Sequence, residues 1–522
     1  MTSTTLRSLN EPLERTSAGA KAATLARLTA AGLPITEGVV IPVGYPDGLL
    51  PSAVAEILKS CAAPHGLIAR SSAVAEDGTS ASYAGLYTSR ICLAHPTALL
   101  DAVRAVRASV HNPAVAAYSR ALGAEASPPQ MAVLVQPVLR PACAGVLAAD
   151  ITRGSWRIEA VHGLAEPLVS GSRTGEIHTA GPDGQAAVRP TTQSVLLLPG
   201  TPQELTMPPG EWVTLAPGSA TTAKVQTSGS GILHLYTPGA LSEGPVLADD
   251  LRARLLTVAA QAADVLGLEH IDIEWAITPD GQLHLVQARP LTVPLTDAAA
   301  SAPLTDAQVL HGIPAAPGTG AGPSTFDADT AGRVLVCGAL DPGAVAALLA
   351  RPAAVVATTG GPLSHTAIIT RELGIPCVTN VTDALTAIAP GTLLEVDGSA
   401  GTVRLASAVP TQRTEPPRSL ASVAVLTRAL DTTAPTDGRA ATILWYDPDG
   451  PTTAGHEHPV GVLLPGDLPA PVTVPATHRP LRLPGMGVLL WASDAAPPPA
   501  EIAVLDPEGE ILYRRAVPHA AN

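Results

Sequence analysis

The chain has 522 residues, 46% of them apolar, enough for two to four domains with sizeable cores. Aromatic residues make up only 2%, with a single Phe, so those cores must be built of Ala, Val and Leu. Lys and Arg number 31 against 45 Asp and Glu, and the net charge of −14 argues against a nucleic-acid partner while leaving room for local basic pockets that hold phosphate.

The opening residues, "MTSTTLRSLNEPLERT", contain no apolar stretch of the signal-peptide kind. No apolar run approaches the ~18 residues of a membrane helix, so a cytoplasmic protein with no membrane partner is expected. The five cysteines are scattered without a C-x-x-C pair, which fits reduced thiols and offers no zinc site. Along the chain, "SAGAKAATLARLTAAGL" has helical spacing, with Ser17 as N-cap and Gly32 as stop. "GVVIPVGY" reads as a strand and "ALLDAVRAVRASV" as an amphipathic helix. From Met131 come three strand-like runs, "MAVLVQPVL", "AGVLAAD" and "WRIEAVHG". The long helix "ADDLRARLLTVAAQAADVLG" precedes the strands "HIDIEWAI" and "QLHLVQARPL", which "TPDG" joins as a hairpin. An Ala, Ser, Thr and Pro-rich linker follows. Strands and helices then alternate up to Leu405, which predicts a small α/β domain. After a second linker, "TQRTEPPRSL", short apolar runs broken by Pro, Gly and Asp predict a small β-rich domain. The expected domains are residues 1–295, 310–405 and 420–522.

Three stretches carry chemistry. In "LIARSSAVAEDGTSASYAGLYTS", Arg70 is followed by small and hydroxylated residues, a loop whose backbone and hydroxyls can approach phosphate oxygens with Arg70 as charge clamp. An ordinary Ser/Gly loop has the same composition. In the hairpin, alternation places Asp272 and Glu274 on one face of a strand, and Gln287 and Arg289 on one face of its return. Two acids and an amide supply the oxygens magnesium shares with phosphates, and the arginine neutralises remaining phosphate charge. A salt-bridged surface hairpin is the plainer alternative. In "GGPLSHTAIITRELGIPCV", His365 stands behind a glycine pair and before a helix. A buried structural histidine, a metal ligand and a nucleophile beside a helix N-terminus are the three readings of that position.

The chain resembles the PEP synthase and pyruvate phosphate dikinase family, which includes rifampin phosphotransferases. The resemblance rests on "GAKAATLARL", "ARSSAVAEDGTSASYAGLY", "MAVLVQPVL", "IDIEWAI" with "LHLVQARPLT", "GIPAAPGTGAGP" and "TTGGPLSHTAIITRELGIPCV" with "DGSAGTV", six motifs in the family's order across residues 15–405. It implies a mixed α/β (α+β) protein, an ATP-grasp nucleotide domain followed by a swivelling phosphohistidine domain. Lys21 and Arg70 match its phosphate-binding positions. Asp272, Glu274 and Gln287 match its metal and nucleotide positions, with Mg2+ as cofactor, and Arg289 matches a second phosphate arginine. Gln136 falls where the hinge meets adenine, and Glu159 where an acid lies near the ribose. The family's Trp-Gly-Leu-Gly-Glu run reads "HGLAE" here, with His162 and Ala165 substituted.

His365 matches the histidine that takes a pyrophosphoryl group from ATP, releasing AMP, and then carries one phosphoryl group to the final substrate. After residue 405 the chain is too short for the ~250-residue TIM barrel that binds pyruvate in the synthases. Only the linker stands where the rifampin enzymes carry their drug-binding domain. The expected function is therefore an ATP-dependent phosphotransferase that converts ATP to AMP and phosphate and phosphorylates a small-molecule acceptor, in secondary metabolism or antibiotic modification. Two others stay open: a donor component serving a separate acceptor protein, and a degenerate nucleotide-binding regulator. His456 and His458, in "GHEHP", read as a solvated turn, with a substrate or metal contact as the alternative.

Overall fold

The computed structural model describes residues 4–293 apart from 79–80, 123–129, 183, 217–218, 230 and 243, and residues 309–405 apart from 328–329 and 340–343. Beyond 405 it describes the backbone of strands between 425 and 516. The linker segments 294–308 and 406–420, and the turn with His456 and His458, lie outside the described residues. The chain divides into two units, Met1–Ala384 with Pro390–Ala406, and Leu385–Ala389 with Ser407–Asn522.

The first unit is mixed α/β. Two antiparallel sheets form its N-terminal part. The five-stranded sheet centres on Met131–Pro137, flanked by Val39–Ile41 and Leu67–Ala73. The run "MAVLVQ" is buried on both faces, as a central strand of Val, Leu and Ala must be. Helices Leu50–Ser60 and Pro96–Ala108 pack their Leu, Ile and Val stripes against one side of this sheet. The six-stranded sheet runs Leu283–Pro290, His270–Ile277, Cys143–Asp150, Ser155–His162, Glu176–Ala180 and Ala186–Arg189 in spatial order. Helices Arg15–Ala30 and Asp249–Leu266 cover its apolar face, where Trp275 is the largest fully buried side chain. With so few aromatics, this core relies on Leu and Ile, each worth about 1.5–3 kcal/mol when fully buried. A four-stranded sheet, Val195–Pro199 to Trp212–Thr214 at its edges, has a separate Leu and Val core.

The alternating segment forms an eight-stranded mixed sheet. Its parallel centre is Thr319–Thr325, Val334–Cys337, Ala354–Ala357 and Cys377–Thr379. The glycine-rich "GGPLS" tract follows Ala354–Ala357, and Ser364 caps the helix His365–Glu372 by accepting from the Ala367 amide. The second unit, in its described residues, holds a seven-stranded sheet between Val425–Leu426 and Ile511–Ala516.

Two local expectations are corrected. The strand in "GVVIPVGY" covers only Val39–Ile41, because Pro42 cannot continue the ladder. The first helix spans Arg15–Ala30 and Ser17 does not cap it; the Ser17 hydroxyl donates to the Glu14 carbonyl within the first turn. The helix is interrupted at Gly19, whose φ of 77° bends the chain so that it meets the strand Leu67–Ala73. A Cβ on Gly19 would lie 1.8 Å from the Ser72 carbonyl oxygen. This close approach lets the Ser72 hydroxyl donate to the Ala18 carbonyl and accept from the Ala22 amide, which fixes the turn carrying Lys21. Gly19→Ala should cost about 2 kcal/mol or more through positive φ and backbone collision, read as a lower thermal midpoint; an unchanged midpoint would contradict this packing.

Candidate active site

The two N-terminal sheets open onto a cleft of about 1040 Å³. One wall comes from the strands Leu67–Ala73 and Met131–Pro137, the other from the hairpin His270–Pro290. The hairpin pairs Asp272 with Arg289 and Glu274 with Gln287, so the four polar side chains do share one face. Its turn closes through the Gly281 amide to Thr278 O and the Thr278 amide to Gln282 O, as "TPDG" predicts.

Simple alternation does not produce this arrangement. Leu283, Leu285, Gln287 and Arg289 stand two apart, and in an uninterrupted strand all four would share a face. The register jumps between Glu274/Gln287 and Trp275/Leu285, leaving Val286 as an extra residue. This β-bulge turns Leu283 and Leu285 into the core and Gln287 and Arg289 to the other face. It also leaves the Val286 carbonyl to accept from Arg70 Nη1 at 2.5 Å. Arg70 Nη2 then donates to Gln287 Oε1 at 3.2 Å and Glu274 Oε2 at 3.3 Å.

The remaining charges interlock. Lys21 Nζ donates to Glu76 Oε1 at 2.9 Å and lies 3.6 Å from Asp77 Oδ2. Gln287 Nε2 donates to Asp77 Oδ1 at 2.9 Å. Arg289 donates through Nε and Nη2 to Asp272 Oδ2, both at 2.8 Å, with Nη1 3.7 Å from Asp77. Burial works against the Arg289 charge, but Asp272, Asp77 and Glu274 outweigh it and hold the guanidinium firmly protonated. Burial likewise pushes the Glu274 carboxyl up. The His365 imidazole beside it and the charges of Arg70 and Arg289 reverse that and bring it down to about 2.

His365 Nε2 stands 4.0 Å from Glu274 Oε1 at the edge of the cleft, with its side chain 22% exposed. Its ring rests on Gly85, where a Cβ would come within 2.9 Å of Nδ1. The histidine helix is held on the nucleotide-side elements by Glu372. That carboxylate accepts from the Ser82 amide at 3.0 Å and from the Tyr118 hydroxyl. Tyr83, Leu86 and Tyr118 pack there with Ala367, Ile369 and Leu373.

Seven of the nine residues singled out from sequence line the cleft: Lys21, Arg70, Gln136, Glu274, Gln287, Arg289 and His365. Gln136 donates through Nε2 to the Thr36 carbonyl at 2.8 Å. Asp272 sits behind Arg289 and does not reach the cleft surface. Glu159, expected beside a ribose, is fully buried away from the cleft; its Oε1 accepts from the Leu363 amide at 2.8 Å. Burial outweighs that hydrogen bond and the charges of Arg157 and Arg371, and raises Glu159 to about 7. Glu76, Asp77 and Glu372 were missed. Their signal was present, as adjacent acids inside the small-residue loop "AVAEDGTS" and as "RE" on the histidine helix.

Magnesium fits the donor set in one way. Among the described residues no three His, Cys, Asp or Glu side chains form a closed metal cage. Asp272 Oδ1 is buried without a hydrogen-bond partner, and Glu274 and Gln287 turn oxygens to the cleft. A cation here would share its ligands with phosphate oxygens, as magnesium does. No helix among the described residues is long and apolar enough to cross a membrane.

Comparison with known proteins bears on the same elements. The profile of the pyruvate phosphate dikinase AMP/ATP-binding domain matches residues 48–308, half of the chain. That of the PEP-utilising enzyme mobile domain matches residues 329–401. Phosphoenolpyruvate synthase of Pyrococcus furiosus is 30% identical over 357 residues, 64% of this chain and 40% of that protein. A probable phosphoenolpyruvate synthase of Methanothermobacter thermautotrophicus is 29% identical over 66% of this chain and 48% of its own length. The chain thus spans less than half the length of these relatives. An uncharacterized protein of Mycobacterium bovis is 42% identical over 83 residues, 16% of this chain and 10% of its own. Arg70 and Arg289 of the cleft fall in the first matched domain and His365 in the second; the chain belongs to the phosphoenolpyruvate synthase and pyruvate phosphate dikinase family of ATP-using phosphotransferases.

Proposed function

We propose that this chain transfers a phosphoryl group from ATP to an acceptor by way of a phosphohistidine at His365. The carrying observation is the 4.0 Å approach of His365 Nε2 to Glu274, at the edge of the cleft that Lys21, Arg70, Gln287 and Arg289 line. Adenine is assigned to the Gln136 hinge, and the phosphates to Lys21, Arg70 and Arg289. Glu274 and Gln287 would hold magnesium, with Asp272 behind Arg289 adding its charge from outside the cleft, and the ion when bound screens charge on the phosphate oxygens. The imidazole attacks the β-phosphorus through a ring nitrogen and the bond to the AMP oxygen breaks, leaving a pyrophosphoryl group on the ring. Water or another acceptor takes the terminal phosphate, and the phosphohistidine delivers the remaining phosphoryl group. The position of His365 at the first turn of a helix supports this reading, since the positive end of the helix dipole there favours a phosphoryl group.

The acceptor is proposed to be a small molecule served by the separate unit beyond residue 407, which has its own seven-stranded sheet. A separate acceptor protein is the second reading.

His365→Ala should bind ATP nearly as wild type does, by calorimetry, yet acquire no acid-labile, base-stable label from β-labelled ATP. A variant that still turns over acceptor at the wild-type rate would refute the route. Arg289→Ala should slow labelling of His365 by about 100-fold or more, since such a contact stabilises charge only as transfer proceeds. Chelation of divalent cations should stop labelling in the wild type. Labelling of Arg289→Ala at the wild-type rate, with saturating magnesium, would overturn the assignment.

A further inference from the structure

We infer that Glu159 is the positioning residue that seats the histidine loop, residues 360–363, on the nucleotide domain. The inference rests on the phosphohistidine reading for its functional meaning, but its structural content is independent of it. Glu159 lies in the strand Ser155–His162, which is apolar and buried from Ile158 to Val161 apart from this acid. A carboxyl group with no exposure carries a large desolvation cost and persists only where something specific compensates. The compensating bond does not come from its own sheet. It is the Leu363 amide, from a segment 204 residues away and two residues before His365.

The fit around the carboxyl group is close. Gly361 passes so near that a Cβ there would lie 1.8 Å from Glu159 Oε2 and 2.6 Å from Cδ. Glu159 Oε2 itself has no hydrogen-bond partner. Next to it, Thr174 Oγ1 donates to the Gly360 carbonyl at 3.3 Å, and the Leu363 side chain enters an apolar cluster with Val146, Ala148, Val161 and Leu168. Gly361 therefore has a reason to be glycine that involves Glu159 and not backbone conformation. When the loop leaves this seat, Glu159 loses its one hydrogen bond to the histidine segment. When the loop returns, the Leu363 amide fixes the start of the helix that points His365 at Glu274.

A steric pair tests this. Gly361→Ala should slow His365 labelling while ATP affinity stays within twofold. Adding Glu159→Ala removes the atoms that the new methyl strikes, so the double variant should recover about tenfold over Gly361→Ala alone, a coupling of the size adjoining residues show. Independently of any phosphoryl transfer, amide hydrogen exchange at Leu363 should be faster in Glu159→Ala than in wild type, and near wild type in Glu159→Gln, which keeps the acceptor oxygen. If wild type acquires no label, the phosphohistidine reading fails and the exchange arm still decides the docking. Unchanged Leu363 exchange in Glu159→Ala, or a double variant no better than Gly361→Ala, would overturn the role of Glu159.

Discussion

One extra residue in one strand, Val286, decides which side chains face the cleft. The bulge reverses the facing of everything after it, so that Leu283 and Leu285 pack into the core while Gln287 and Arg289 turn outward beside Glu274 and Asp272. The carbonyl it frees orients Arg70 from the opposite sheet. Arg70 in turn fixes Glu274 and Gln287, and Gln287 reaches Asp77 in the loop that also holds Lys21. Three stretches far apart in sequence, around Lys21, from Arg70 to Asp77 and along the hairpin, are thus tied through a backbone irregularity that no side chain announces.

Three buried cations of the cleft, Lys21, Arg70 and Arg289, are each paired with acids of the protein. Lys21 rests on Glu76 and Asp77, Arg289 on Asp272 and Asp77, and Arg70 on Glu274 and Gln287. Burying lone charges would be prohibitive, so a cleft meant for a polyanion carries acids of its own. In the proposed reaction a phosphate chain entering here would displace carboxylates from cations, and a divalent cation would compensate the acids so released. Under that reading the same few side chains would serve as phosphate contacts and as cation ligands.

Much of this was legible in the sequence, and the reasons differ by residue. The hairpin was readable because "TPDG" fixes a turn and the polar residues flank it at even spacing. His365 stood out because a glycine pair precedes it and a helical stretch follows, and the family resemblance chose among its three readings. The bulge at Val286 was not, since "LHLVQAR" alternates acceptably either way and only packing of Leu285 against the core selects the flip. Glu76 and Asp77 escaped because their partner, Lys21, lies 55 residues upstream of the nearer acid. Glu159 was placed beside the nucleotide by the family resemblance, while its direction depends on a loop from the next domain.

Gly85 makes a final point. This glycine belongs to the loop that walls the nucleotide cleft, yet its open face is filled by the imidazole of His365. Ser82 and Tyr118, on the same side, grip Glu372 of the histidine helix. Three of the chain's seven tyrosines, Tyr83, Tyr87 and Tyr118, cluster at this seam in a sequence otherwise almost free of aromatics. The two domains are therefore not interchangeable cassettes. A chimera that grafts a relative's histidine domain onto this nucleotide domain would need to keep the fit at Gly85, Tyr118 and Glu159, because the lock has one half in each of the two matched domains.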